Sequence, residues 1–173
     1  ANGLRPSRRS EHAGIYEPIG QQLIIFGGTV AVPVNCGFPT STFETETWVY
    51  DTRCDHWEVL TGGPPTGLAR HQAVYDSTEH RMLVFGGRHR VGGSGNYTLH
   101  DAVWGFDIET ETWGEIFTSS GPTPRINAGV AYDPTGHRLM VFGGNSSASG
   151  FGYSPLQDLW SLDLESKVWT AID

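Results

Sequence analysis

Lysine is almost missing from this chain: of 11 basic residues ten are arginine, and Lys167 is the single lysine. Set against 19 acidic residues, this leaves a net charge of −8. Binding along a phosphate backbone needs a basic face, so nucleic acid is not an expected partner. Long apolar runs are missing too. The longest, Leu23 to Val34, is interrupted by Gly27, Gly28 and Pro33, well short of the ~18 residues of a spanning helix, and no membrane partner is expected. Cysteine is scarce. Cys36 and Cys54 stand alone without CxxC spacing, which excludes a disulfide framework and a zinc or redox motif. No segment holds a 3.6-residue apolar period, so no helix is expected. What is plentiful is glycine (23 residues), with 10 prolines and a 12% aromatic share, a balance that suits short strands joined by many turns.

The aromatic and glycine residues repeat in register. Phe-Gly-Gly occurs at Phe26–Gly28, Phe85–Gly87 and Phe142–Gly144, and a tyrosine precedes each phenylalanine by ten positions (Tyr16, Tyr75, Tyr132). The six tryptophans form pairs nine residues apart, Trp48/Trp57, Trp104/Trp113 and Trp160/Trp169, and an aspartate (Asp51, Asp107, Asp163) follows each first tryptophan by three. A shared period of this length marks a repeat architecture. Each unit reads as four strands. One ends at the tyrosine, and a turn such as Asp133-Pro134-Thr135-Gly136 follows it. The second is an apolar run into Phe-Gly-Gly, whose continuity fits a strand covered on both faces. The third and fourth each carry a tryptophan.

This set of marks resembles the kelch repeat: a glycine doublet closing the second strand, a spaced aromatic, and a tryptophan on the fourth strand. The resemblance implies an all-β fold of three four-stranded antiparallel kelch-type β-propeller blades, at about 9–61, 68–117 and 125–173. Closed propellers have four to eight blades, so three make an incomplete ring. The expectation is a segment of a longer propeller, or self-association or a partner chain that completes it. The phenylalanines, tyrosines and tryptophans are read as scaffold, with Trp57, Trp113 and Trp169 largely buried.

Function is then expected in the long connections between second and third strands, 29–46, 88–102 and 145–158. In an up-and-down blade they emerge on the same face as the links between blades, and loops this long are usually functional. Arg88-His89-Arg90, with Tyr97 and His100-Asp101, is the best-equipped stretch and reads as a site for an anion or carboxylate, since guanidinium forks suit such groups. The resemblance adds Arg9 and Arg125, because in kelch adaptor proteins arginines at the start of the first strand contact the bound peptide. Arg70 is displaced from that place by two residues, and Leu68 occupies it. Capping of loop carbonyls accounts for these arginines equally well. The expected function is a non-catalytic binding or assembly module for a protein, a peptide or a small anionic ligand. An enzyme acting on a carbohydrate or other small molecule is the alternative, because sialic-acid epimerases also use kelch propellers. The copper-oxidase and iron-specifier patterns of other kelch enzymes are absent, as are GxSxG and HExxH, and no cofactor or metal is implied.

Two glycosylation triplets, at Asn96 and Asn145, are expected on exposed loops. Cys36 and Cys54 fall at opposite ends of the third strand, too far apart for a disulfide, so two free thiols are expected.

Overall fold

The computed structural model describes residues 3–32, 40–64, 66–92 and 95–172, and every regular element among them is a β-strand. Three four-stranded antiparallel sheets follow one another along the chain. The first holds β1 (Ala13–Glu17), β2 (Gln22–Phe26), β5 (Thr47–Asp51) and β6 (His56–Leu60). The second holds β7 (Gln72–Asp76), β8 (Arg81–Phe85), β11 (Val103–Asp107) and β12 (Thr112–Ile116). The third holds β13 (Gly129–Asp133), β14 (Arg138–Asn145), β15 (Pro155–Asp163) and β16 (Val168–Ile172). The first strands β1, β7 and β13 face one another, so the sheets radiate from them as propeller blades.

The turns are built locally. The acid after each tyrosine accepts backbone N–H bonds from its own turn: Glu17 from Ile19 and Gly20, Asp76 from Thr78 and Glu79, Asp133 from Thr135 and Gly136. The aspartates after the first tryptophans do the same at the second hairpin, as Asp163 does for Glu165 and Ser166. Carboxylates that bond to the backbone two or three residues on favour turns for this reason.

Among the described residues nine non-glycine residues adopt positive φ, and they are three repeat positions used three times: Glu11/Arg70/Asn127, Gln21/His80/His137 and Asp55/Glu111/Lys167. All nine side chains are polar or charged, but no single residue type marks a position. Each costs about 1 kcal/mol or more, and the surrounding bonds hold them. Arg70 N–H donates to the Glu11 carbonyl at 2.9 Å and Asn127 N–H to the Arg70 carbonyl at 3.0 Å, stitching each blade to the next.

The long connections are not loops throughout. Past the first glycine doublet the chain forms a second hairpin, β3 (Thr29–Val32) with β4 (Thr40–Phe43), and past the second doublet β9 (Arg88–His89) pairs with β10 (Thr98–Leu99). In the third blade the extension is continuous with β14 and β15, across a register irregularity between Phe142 and Gly144. The glycine doublet thus ends β2 and β8, as expected, with a further hairpin beyond it, and in blade 3 it lies within β14. Both glycines of each doublet have positive φ, and a Cβ on Gly28 would lie 2.7 Å from the Ser10 carbonyl oxygen, one on Gly144 2.8 Å from that of Ile126. The segment entering each blade passes too close for any side chain.

The core lies between blades. Ile15, Ile24 and Phe26 of blade 1 meet Met82, Val84 and Phe106 of blade 2, while Leu83, Phe85 and Val103 on the opposite face of blade 2 meet Leu139, Val141, Leu162 and Trp169 of blade 3. Trp169 is buried as expected, whereas Trp57 and Trp113 are half-buried and Trp48 is the buried member of its pair. Cys54 is exposed and free in the β5–β6 turn; Cys36 lies outside the described residues.

Candidate functional site

Strand alternation sets the chemistry of the blade 2 hairpin. Leu99 pairs with Arg88 and Thr98 with His89, so Arg88 and Arg90 share one face with Tyr97 while His89 takes the other. The guanidinium carbon of Arg88 lies 3.8 Å from the Tyr97 ring centre and that of Arg90 lies 4.5 Å from it. Contacts of this type contribute about 0.5–2 kcal/mol each, more as water is excluded. Tyr97 is held in turn by its N–H, which donates to the Ala148 carbonyl of blade 3 at 2.9 Å, and by the Phe43 ring of blade 1 at 6.3 Å. All three blades meet at this residue.

Arg88 is almost buried. Its Nη2 donates to both carboxylate oxygens of Glu11 at 3.3 and 3.4 Å, and Arg70 Nε donates to the same carboxylate at 2.7 Å. Two guanidinium groups on one carboxylate leave an excess positive charge where blade 1 meets blade 2. The Nε atoms of Arg88 and Arg90 are both buried without a partner, donors the protein itself does not satisfy. On the other face His89 Nδ1 and His100 Nε2 lie 2.7 Å apart and share one proton between them. Burial, and then the neighbouring His89, push the His100 pKa down, against the opposing pull of Asp101.

This face opens into a cleft of about 460 Å³ between the two extended hairpins. Ser41, Thr42 and Phe43 of β4 form one wall, His89 and Arg90 the other, with Thr66 and Gly67 of the blade link between them. Of the eight residues expected at a ligand site, Arg70, Arg88, Arg90 and Tyr97 are linked on one face of the hairpin, Arg70 and Arg88 through Glu11, and His89 and His100 pair on the other; of these six, His89 and Arg90 line the cleft.

Arg9 and Arg125 stand elsewhere, and this corrects the placement that the resemblance implied. The Arg125 side chain is 0% exposed, forked onto both oxygens of Asp158 at 2.6 and 2.8 Å, with Nη1 also on the Gly143 carbonyl. Arg9, 3% exposed in its side chain, repeats the arrangement on Glu46 and the Gly27 carbonyl. Each acid also accepts the indole N–H of the tryptophan two residues on, Trp48 or Trp160. The arginine bonds hold Asp158 down to about 2 and also lower Glu46. These two guanidinium groups clamp the glycine kinks and have no open side toward a ligand. Blade 2 loses both partners of the clamp at once, with Leu68 in place of the arginine and Ala102 in place of the acid. Arg70 instead occupies the repeat position of Glu11 and Asn127, which explains its offset. Glu11 escaped the sequence reading; its spacing of two from Arg9, equal to that of Arg70 from Leu68, is the signal that would have found it.

Asn145 is likewise not on an exposed loop. It is 7% exposed at the end of β14, its Oδ1 accepts the N–H groups of Ser147 and Ser154, and its Nδ2 points at the Gly152 carbonyl, so that triplet is closed to a glycan. Asn96 is exposed. Among the described residues no group of three or more His, Cys, Asp or Glu side chains could hold a metal ion.

Comparison with known proteins agrees with the blade geometry. The whole chain, residues 1–173, matches the KLHDC2/KLHL20/DRC7 Kelch-repeats domain. Among curated relatives, the serine/threonine-protein phosphatase BSL2 of Arabidopsis thaliana is 32% identical over 167 residues, 87% of this chain and 15% of that protein. Kelch domain-containing protein 10 of Xenopus tropicalis is 30% identical over 115 residues, 63% of this chain and 27% of that protein. The chain thus spans less than a third of either relative. The solved structure of YjhT superposes with a TM-score of 0.71 at 15% identity, covering 95% of this chain and 52% of that one, a likeness of fold. Repeat marks, blade sheets and the match along the whole length together place the chain in the kelch-repeat family.

Proposed function

We propose that this chain is a binding and assembly module whose cleft between the extended hairpins of blades 1 and 2 takes an acidic group of a protein or peptide partner. Kelch domains serve protein interaction, and the cleft supplies what an anion needs. The observation that carries the reading is the Arg88–Tyr97–Arg90 stack. It holds the Arg90 guanidinium, whose Nε is left unpartnered, at the cleft that His89 also lines from the opposite face of the same hairpin. Preorganised arginines bind carboxylates strongly because little side-chain freedom remains to be lost. Hydroxyl groups of Ser41 and Thr42 on the facing wall, and of Thr66 between the walls, suit the flanking backbone of an extended peptide. The assembly half of the proposal is that the end faces of the blade stack receive further blades.

The test is a titration of fluorescently labelled peptides that differ only in Glu against Gln at one position. Preference for the acidic peptide, weakened about tenfold or more in Arg90→Ala, supports the cleft. Equal binding of both peptides, or unchanged binding by the variant, removes it.

A further inference from the structure

Blade 2 carries a histidine pair that the repeat does not account for. The position of His89, two past the glycine doublet, holds Val30 in blade 1 and Ser146 in blade 3; that of His100, four before the first tryptophan, holds Glu44 and Leu156. The backbone at the second place is alike in blades 1 and 2: Glu44 N–H donates to the Gly28 carbonyl at 3.0 Å, and His100 N–H to the Gly87 carbonyl at 3.0 Å. The blade thus forms without histidine at either position.

The contact between the two rings depends on how many protons they hold. His89 Nδ1 and His100 Nε2 stand 2.7 Å apart, with the ring planes 35° from parallel. A hydrogen bond there needs a hydrogen on one atom and a lone pair on the other. One added proton can go to an outer nitrogen and leave the contact whole. A second leaves both rings charged and a hydrogen on both facing atoms, and the contact becomes repulsive. Both rings are half-buried, and His89 lines the cleft, so each added charge is felt there.

Among the described residues, the charged side chains around the pair are few. Asp101 favours the charged form of His100, while burial and His89 oppose it. Arg90 shares the cleft wall with His89, and Arg88 lies across the hairpin on the Tyr97 ring. The facing wall of β4 is followed by Glu44, whose Oε1 accepts the Thr42 hydroxyl, and the link residues Thr66 and Gly67 carry no charge. From blade 3, Arg125 N–H donates to the His100 carbonyl, but its guanidinium is spent on Asp158.

On the cleft reading above, we infer that the His89–His100 pair is a proton-operated control of the cleft: acidification charges it, adds a cation beside Arg90, and raises the affinity for an acidic group. Linkage makes the effect reciprocal, so binding of the acidic group draws a proton onto the pair. Histidine suits this role because its charge changes between about pH 5 and 8, where a glutamate side chain stays largely ionised.

The Glu and Gln peptides are titrated again between pH 7.5 and 5.5. Glu-peptide affinity is expected to rise on the order of fivefold, the Coulomb effect of one added charge near the protein surface, while the Gln peptide stays flat. Calorimetry in two buffers of different ionisation heat is expected to show proton uptake on binding. His89→Gln combined with His100→Gln keeps polar side chains that take no proton, and is expected to flatten the profile and abolish the uptake. In the free chain, NMR of the His100 ring is expected to show it titrating below the ordinary histidine value of about 6.5, and higher in His89→Gln, which removes the opposing charge. A preference for the Glu peptide that does not change with pH, or a double variant with the wild-type profile, overturns the control and leaves the cleft reading standing. A His100 titration unmoved by His89→Gln overturns the coupling of the pair. Equal binding of both peptides at every pH removes the cleft reading, and the control falls with it even where the two histidines titrate together.

Discussion

Arg125 and Arg88 are both nearly buried arginines at the base of a long hairpin, yet their surroundings differ. Arg125 has every side of its guanidinium occupied: a carboxylate across one edge, the Gly143 and Thr123 carbonyls on the others. Arg88 shares one carboxylate with Arg70, lies on an aromatic face, and keeps a buried Nε without a partner. Burial at the base of a hairpin therefore does not distinguish an arginine free to take a ligand from a structural one. Satisfaction of its donors does: a fully bonded guanidinium holds the fold, and one with donors to spare can serve a ligand.

Breaking the Arg125 clamp should have the largest effect. Arg125→Ala strips the Gly143 kink of its cap and leaves Asp158 without its cation, at a cost of about 3 kcal/mol, the lower end for breaking a buried pair because Asp158 is partly exposed. Urea denaturation measures it. Arg125→Leu combined with Asp158→Ala copies the Leu68/Ala102 pair of blade 2 and should recover at least half of that loss. A double variant as unstable as the sum of the singles would show that the two residues act independently.

Histidine burial gives an effect of similar size with a defined pH window. His71 is enclosed against Phe26 and burial pushes its pKa down to about 4; burial also lowers His12 and His100. The unfolded chain takes up these protons near 6.5 and the folded chain resists until lower pH, so stability is full above 6.5 and falls as the pH drops toward about 4. For His71 alone the shift corresponds to on the order of 3 kcal/mol. Urea midpoints that stay flat between pH 7 and 4.5 would contradict the enclosed, neutral histidine.

At the cleft the balance should invert. Arg90→Ala should change stability by less than about 1 kcal/mol, since it removes one half-exposed cation–π contact, while acidic-peptide binding falls about tenfold. A stability loss matching that of Arg125→Ala would erase the distinction between the two arginine sets. Smallest of all, Cys54→Ser should leave stability within about 0.5 kcal/mol, as for an exposed turn residue. The native thiol should react fully with Ellman's reagent before any unfolding.

Much of the blade plan was legible because it depends on local chemistry. The Phe-Gly-Gly, tyrosine and tryptophan spacings repeat with the strands that carry them, and the turn acids accept from the backbone of their own turns. The hairpins beyond the glycine doublets were not legible: β9 and β10 have two residues each, too few for an alternation pattern to register. Of the site, Arg88, His89, Arg90, Tyr97 and His100 were found as one polar stretch of sequence. Glu11, 77 residues from Arg88, was not, because only its repeat position, two after Arg9 as Arg70 is two after Leu68, marks it.

What the amino-acid sequence determined by itself is the repeat: how many blades, which residues turn, which aromatic side chains fill the space between sheets. Those choices rest on period-two alternation and on side-chain bonds spanning two or three residues. Tertiary structure alone decided which arginines are spent on the scaffold, which asparagine is closed to solvent, and which of three equivalent phenylalanines stays exposed. The clamps close on groups 18 to 37 positions away in their own blade, and Asn145 closes on its own hairpin 2 to 9 positions away. Phe26 and Phe85 pack under the tryptophan of the next blade, and only the folded backbone decides these meetings.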